Sequence, residues 1–150
     1  MKLLKSVAVA AGLMVATSLI APSAAMAQES SYKPGSVWTA SRIKVLPGQF
    51  ENYMDFLAGQ WKRTNEFGKK EGLVLSYHVL AVNNPRNGEG DLVLIIENKD
   101  YMTTAQQDAF RIKLNAFLAT DDRKQATASA ARGPMREQLG STEYQELILK

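Results

Sequence analysis

The chain has one histidine, His78, so any imidazole chemistry it performs rests on that residue. Ser76 stands two positions before it, on the same side of any extended segment. An imidazole beside a hydroxyl can act as a general base or as a haem ligand; the alternative is a half-buried strand histidine bonded to a neighbour. Trp38 and Arg42, four residues apart, offer an aromatic wall and a cation. An arginine aimed into an apolar cavity needs an anion, either a ligand carboxylate or a protein acid such as Glu97 or Glu146. A cross-strand ion pair or an edge position is the other reading of Arg42, and dimer packing is the other reading of Trp38. These four residues, Trp38, Arg42, Ser76 and His78, are the ligand-pocket candidates. No residue is assigned a catalytic role.

Composition removes several chemistries. The chain has no cysteine, which excludes disulfides, thiolate metal sites, cysteine nucleophiles and a lipid-anchoring cysteine. One histidine excludes multi-histidine metal centres, and no metal or cofactor is expected. Asp121-Asp122 is read as helix-start charge rather than a metal pair. Gly88-Glu89-Gly90 sits among turn formers and opens no helix, so it is not a nucleotide loop. The sequence has no Gly-x-Ser-x-Gly elbow. A formal net charge of +3 is too small to argue for nucleic acid. Arg123, Lys124, Arg132 and Arg136 give the second half of the chain a basic side, read as a solvated helix face or a docking surface for an acidic partner.

The elements that position the candidates follow from periodicity. Residues Ser36 to Val45 alternate as a strand, with Val37, Thr39, Ser41, Ile43 and Val45 on one face and Trp38, Ala40, Arg42 and Lys44 on the other. Pro47-Gly48 ends it. From Gln49 the period becomes helical: Phe50, Tyr53, Met54, Leu57 and Trp61 form a core stripe, closed by Gly68 and Gly72. Leu73 to Asn83 reads as a second strand, with Tyr77 toward the core and Val74, Ser76, His78, Leu80 and Val82 opposite. A turn-rich stretch, Asn84 to Gly90, joins it to a third strand, Asp91 to Glu97. Residues 98 to 140 read as helical, broken at a Thr120 N-cap and kinked at Gly133-Pro134. A final strand runs from Thr142 to Leu149.

The N-terminus reads as an address. Lys2 and Lys5 precede an uncharged Ala/Val/Leu/Ile run, and Ala25-Met26-Ala27 fits the small-x-small cleavage rule. The expected organisation is a Sec-type signal peptide at 1–27 (cleaved after Ala27, with Ala25 as the weaker alternative), a flexible lead-in at 28–35, and a single α+β domain at 36–150. Cleavage leaves 123 of the 150 residues and lowers the net charge from +3 to +1. The expected destination is periplasmic or secreted, with no membrane anchor after cleavage.

The order β-α-β-β-α-β, with the second helical segment enlarged, is the ferredoxin-like pattern with a four-stranded antiparallel sheet. The strand ending in Val45-Leu46-Pro47-Gly48, the first helix rich in Phe50, Tyr53 and Trp61, and Glu71-Gly72 leading into strand two carry a resemblance over residues 36–149 to the dimeric α+β barrel superfamily. That superfamily includes small monooxygenases, haem-degrading enzymes and isomerases. The resemblance implies a homodimer paired sheet to sheet. Trp38, Ala40, Val74, Leu80, Val82, Val93 and Ile95, with Leu147 and Leu149 or their neighbours, make a sheet face too apolar to leave in water. The expected function is an exported homodimer binding a small apolar or weakly anionic molecule between its sheets. A cofactor-independent monooxygenase-like or haem-binding enzyme, or a non-catalytic structural dimer, are the alternatives.

Overall fold

The computed structural model describes residues 29–150; the signal peptide expected at 1–27 lies outside the described residues. The elements are β1 (Tyr32–Val45), α1 (Phe50–Phe56), a π-helical turn (Leu57–Trp61), α2 (Lys62–Lys70), β2 (Val74–Ala81), β3 (Leu92–Asn98), α3 (Thr104–Phe117), α4 (Asp122–Ala130) and β4 (Arg136–Leu149). The strands form one antiparallel sheet in the order β2-β3-β1-β4. This is the α+β, ferredoxin-like arrangement expected from the sequence. Among the described residues no helix is long and apolar enough to cross a membrane.

The core lies on one side of the sheet. Ile43 from β1 and Leu92 and Leu94 from β3 pack against Tyr53 of α1 and Leu57 of the π turn, with Val79, Trp61 and Met135 around them. Each such side chain contributes about 1.5–3 kcal/mol by leaving water. Tyr53 is only 1% exposed, whereas Phe50, expected in the same stripe, opens α1 and is 47% exposed. The π turn places one extra residue in its loop, and two side chains satisfy its carbonyls: Thr64 Oγ1 donates to Gln60 O at 3.0 Å and Asn65 Nδ2 to Trp61 O at 2.9 Å.

Several boundaries differ from the sequence reading, each for a tertiary reason. β1 starts at Tyr32 and so takes in the last residues of the expected lead-in; Pro34-Gly35 fits inside the strand because the ladder with β4 is irregular there. The first residue of α3 is Thr104, since Thr103 and Gln106 form a reciprocal capping box. Asp121, rather than Thr120, caps α4 by accepting from Lys124 N at 2.8 Å. The helix expected to continue to residue 140 ends at Ala130, and residues 136–141 belong to β4. α3 and α4 bury none of their residues, and α3 leans on α2 through Phe67, which stacks on Phe117 at 4.7 Å and meets Phe110 at 5.6 Å. A bulge between Val74 and Ser76 turns Val74 toward Gly68 of α2, removing it from the face to which the alternation assigns it.

Gly90 is held against β1: Asp91 N donates to Ile43 O at 2.8 Å, and a Cβ at Gly90 would collide with that same carbonyl. Backbone cannot yield as a side chain can, so Gly90→Ala is expected to lose at least about 2 kcal/mol in urea unfolding. Gly59→Ala, whose Cβ meets nothing, is expected to gain about 0.5–1 kcal/mol from helix propensity. Equal and small effects at both positions would contradict this packing.

Candidate functional site

The ladder places the residues of the uncovered sheet face in three rungs. At one end Ser76, Glu97, Trp38 and Tyr144 lie side by side. Next come His78, Ile95, Ala40 and Thr142, and then Leu80, Val93, Arg42 and Gly140. Antiparallel partners project to the same side, and Ile43, one residue past Arg42, is in the core opposite. All four candidates therefore share the face that the helices leave open. Trp38 and Ser76 share a rung, His78 is in the next one, and Arg42 lies two rungs from Trp38, about 13 Å along the strand.

At the first rung, two carboxylates meet at one hydroxyl. Ser36 Oγ donates to Glu97 Oε1 at 2.8 Å and lies 3.1 Å from Glu146 Oε2. Glu146 Oε2 also accepts from the Ser36 backbone N–H at 3.3 Å. Trp38 Nε1 donates to Ser36 Oγ at 3.0 Å, and Ser76 Oγ donates to Glu97 Oε2 at 2.7 Å. The sheet irregularity at Gly35 allows this: a Cβ there would meet the Glu146 carboxylate and Ile148. The same contact puts Glu146 and Ile148 on this face, so the apolar contribution of β4 comes from Tyr144 and Ile148 and not from Leu147 and Leu149.

The ion pair between Arg42 and Glu97 or Glu146 does not form, because both acids are held by Ser36 and Ser76 at the far end of the face. The Arg42 guanidinium instead lies over its β4 neighbour Gly140, with Nη2 3.5 Å from where a Cβ would stand. Gly140 has φ +145°, a backbone conformation that L side chains rarely adopt. Among the described residues Arg42 makes no ion pair, and His78, exposed, makes no side-chain hydrogen bond.

Ser36 and Tyr144 are the members that sequence reasoning missed, and Glu97 and Glu146 were named there only as partners for Arg42. Only the register reveals them, although Ser36 and Trp38 at i and i+2 already share a strand face. Among the described residues no three His, Asp or Glu side chains converge as a metal site. Five pockets of about 180 to 420 Å³ among the described residues are lined by residues other than Trp38, Arg42, Ser76 and His78. On a single chain the face is a surface, with Leu80 48% and Tyr144 55% exposed. No known family's sequence pattern matches the chain, and no curated protein matches it.

Ser36→Ala removes the acceptor of the Trp38 indole and the donor to Glu97, leaving polar groups without partners. It is expected to cost about 1–3 kcal/mol in urea unfolding. Thr142→Ala, an exposed position with no side-chain bond, is expected to change stability by less than about 0.5 kcal/mol. An equally small loss at Ser36 would show that the carboxylate cluster is not held as described.

Proposed function

We propose that the protein is an exported homodimer, paired sheet to sheet, that holds a small apolar or weakly anionic molecule between its sheets. The observation that supports this reading is the charge order on the open face. Glu97 and Glu146 lie at one end, Ala40 and Ile95 in the middle, and Arg42 at the other end. A two-fold axis lying across the strands over the Ala40 rung exchanges the two ends, so the acids of one copy meet Arg42 of the other. The exposed apolar surface of Leu80, Tyr144 and Ile148 is then covered. Export is supported by the order of charged, apolar and small residues at 1–27, and the barrel-like pairing by the ferredoxin-like topology. Trp38, Ser76 and His78 would line the ligand space between the sheets, with Arg42, two rungs from Trp38, paired across the axis at its end.

A charge swap tests the pairing. Arg42→Glu and Glu97→Arg each set like charges against one another in a homodimer, and each is expected to weaken dimerisation at least about tenfold. Mixing the two variants restores opposite charges at both contacts, so heterodimers should form with near-parental affinity by light scattering. Parental affinity in each single variant, or no recovery on mixing, would contradict the proposed axis. Native mass spectrometry of the dimer purified from periplasm should show added mass per dimer; a bare dimer would remove the ligand from this reading.

A further inference from the structure

Arg123 and Lys124 lie exposed on α4 as expected, but two of the arginines expected on that helix face are elsewhere. Arg132 lies in the turn after α4 and Arg136 opens β4, and both reach back between the sheet and α1. The Arg132 guanidinium stacks on Phe56, 4.6 Å from the ring centre, and its Nη1 donates to Ala128 O at 2.9 Å. Arg136 lies over Tyr53 at 5.9 Å. The Nε atoms of both are buried and have no hydrogen-bond partner. Neither arginine makes an ion pair among the described residues. Two like charges thus share a half-buried pocket whose lining among the described residues holds no acid, an arrangement that an anion would relieve. Burial, and then the charge of Arg136, lowers the pKa of Arg132, while burial raises that of Tyr53 against the pull of both arginines.

The two arginines border a pocket of about 180 Å³ whose other walls include Tyr53, Phe56, Trp61 and Gln138. We propose that this pocket binds a small organic carboxylate with a flat apolar body. The guanidinium donors would take the carboxylate, as their fork geometry favours. Aromatic walls would enclose the body, and the volume, below that of pockets for drug-sized ligands, limits it to about one ring. Trp61 closes the π turn, so the wider helical loop sets one wall of the site. The pocket lies on the opposite side of the sheet from the face proposed to dimerise, so neither reading depends on the other.

The test uses benzoate as the probe, with benzyl alcohol and inorganic phosphate as comparisons, titrated into the purified protein and followed by NMR. Benzoate is expected to bind with a Kd below about 1 mM and to shift the Trp61 indole and the Nε–H resonances of Arg132 and Arg136. Benzyl alcohol and phosphate should each bind at least tenfold more weakly, because one lacks the charge and the other the ring. Arg136→Lys keeps the charge but loses the fork, and Arg132→Gln loses both; each should weaken benzoate at least tenfold. The proposal is overturned if benzoate leaves these resonances unmoved, if phosphate or benzyl alcohol binds as well, or if folded variants bind benzoate like the parent. The ligand series on the unmodified protein decides the matter even if a variant does not fold.

Discussion

Strand β1 is paired along both edges, to β3 and to β4, but helices cover only one of its faces. That asymmetry governs the remaining structure. Ile43 and Val37 are buried on the covered side, while Trp38, Ala40 and Arg42 alternate onto the other. With helices on one side only, the uncovered face must be polar enough for water or must find a partner. It is neither uniformly polar nor uniformly apolar. Its acids are gathered at one end, held by Ser36, and Arg42, which makes no ion pair among the described residues, stands at the other.

The enlarged second helical segment explains why the covered side is itself incompletely filled. In this chain α3 and α4 bury no residue and α3 stacks on α2 through Phe67. Beside α1, part of the covered side is filled by Met135, Arg132 and Arg136. Guanidinium groups stacked on Tyr53 and Phe56 complete the layer. They pack well as flat groups while carrying charge that no acid among the described residues pairs with. The two sides of the sheet thus present distinct chemistries: an open face with acids at one end and Arg42 at the other, and a cationic, aromatic-walled pocket.

The fold class, the strand alternation and the grouping of Trp38, Arg42, Ser76 and His78 on one face were legible in the sequence, because period-2 and helical spacing are local signals. What was not legible depends on pairing partners. Arg136-Glu137-Gln138-Leu139 has good helix propensity, yet pairing with Lys44 and Val45 of β1 makes it strand. Pro34-Gly35 reads as a turn, but an irregular ladder absorbs it. Val74 changes face at a bulge that no alternation can foresee. The carboxylate cluster joins residues 36, 97 and 146, and the arginine pocket needs the helix to stop at Ala130; both arise from tertiary register.

The central claim is that the open sheet face is covered by a second copy of the chain. Sedimentation equilibrium of the processed, unmodified protein across the micromolar range tests it most directly. The account predicts twice the chain mass at low salt, with dissociation favoured as salt screens the contacts between Arg42 and the acids. A single-chain mass at every concentration and salt would contradict it.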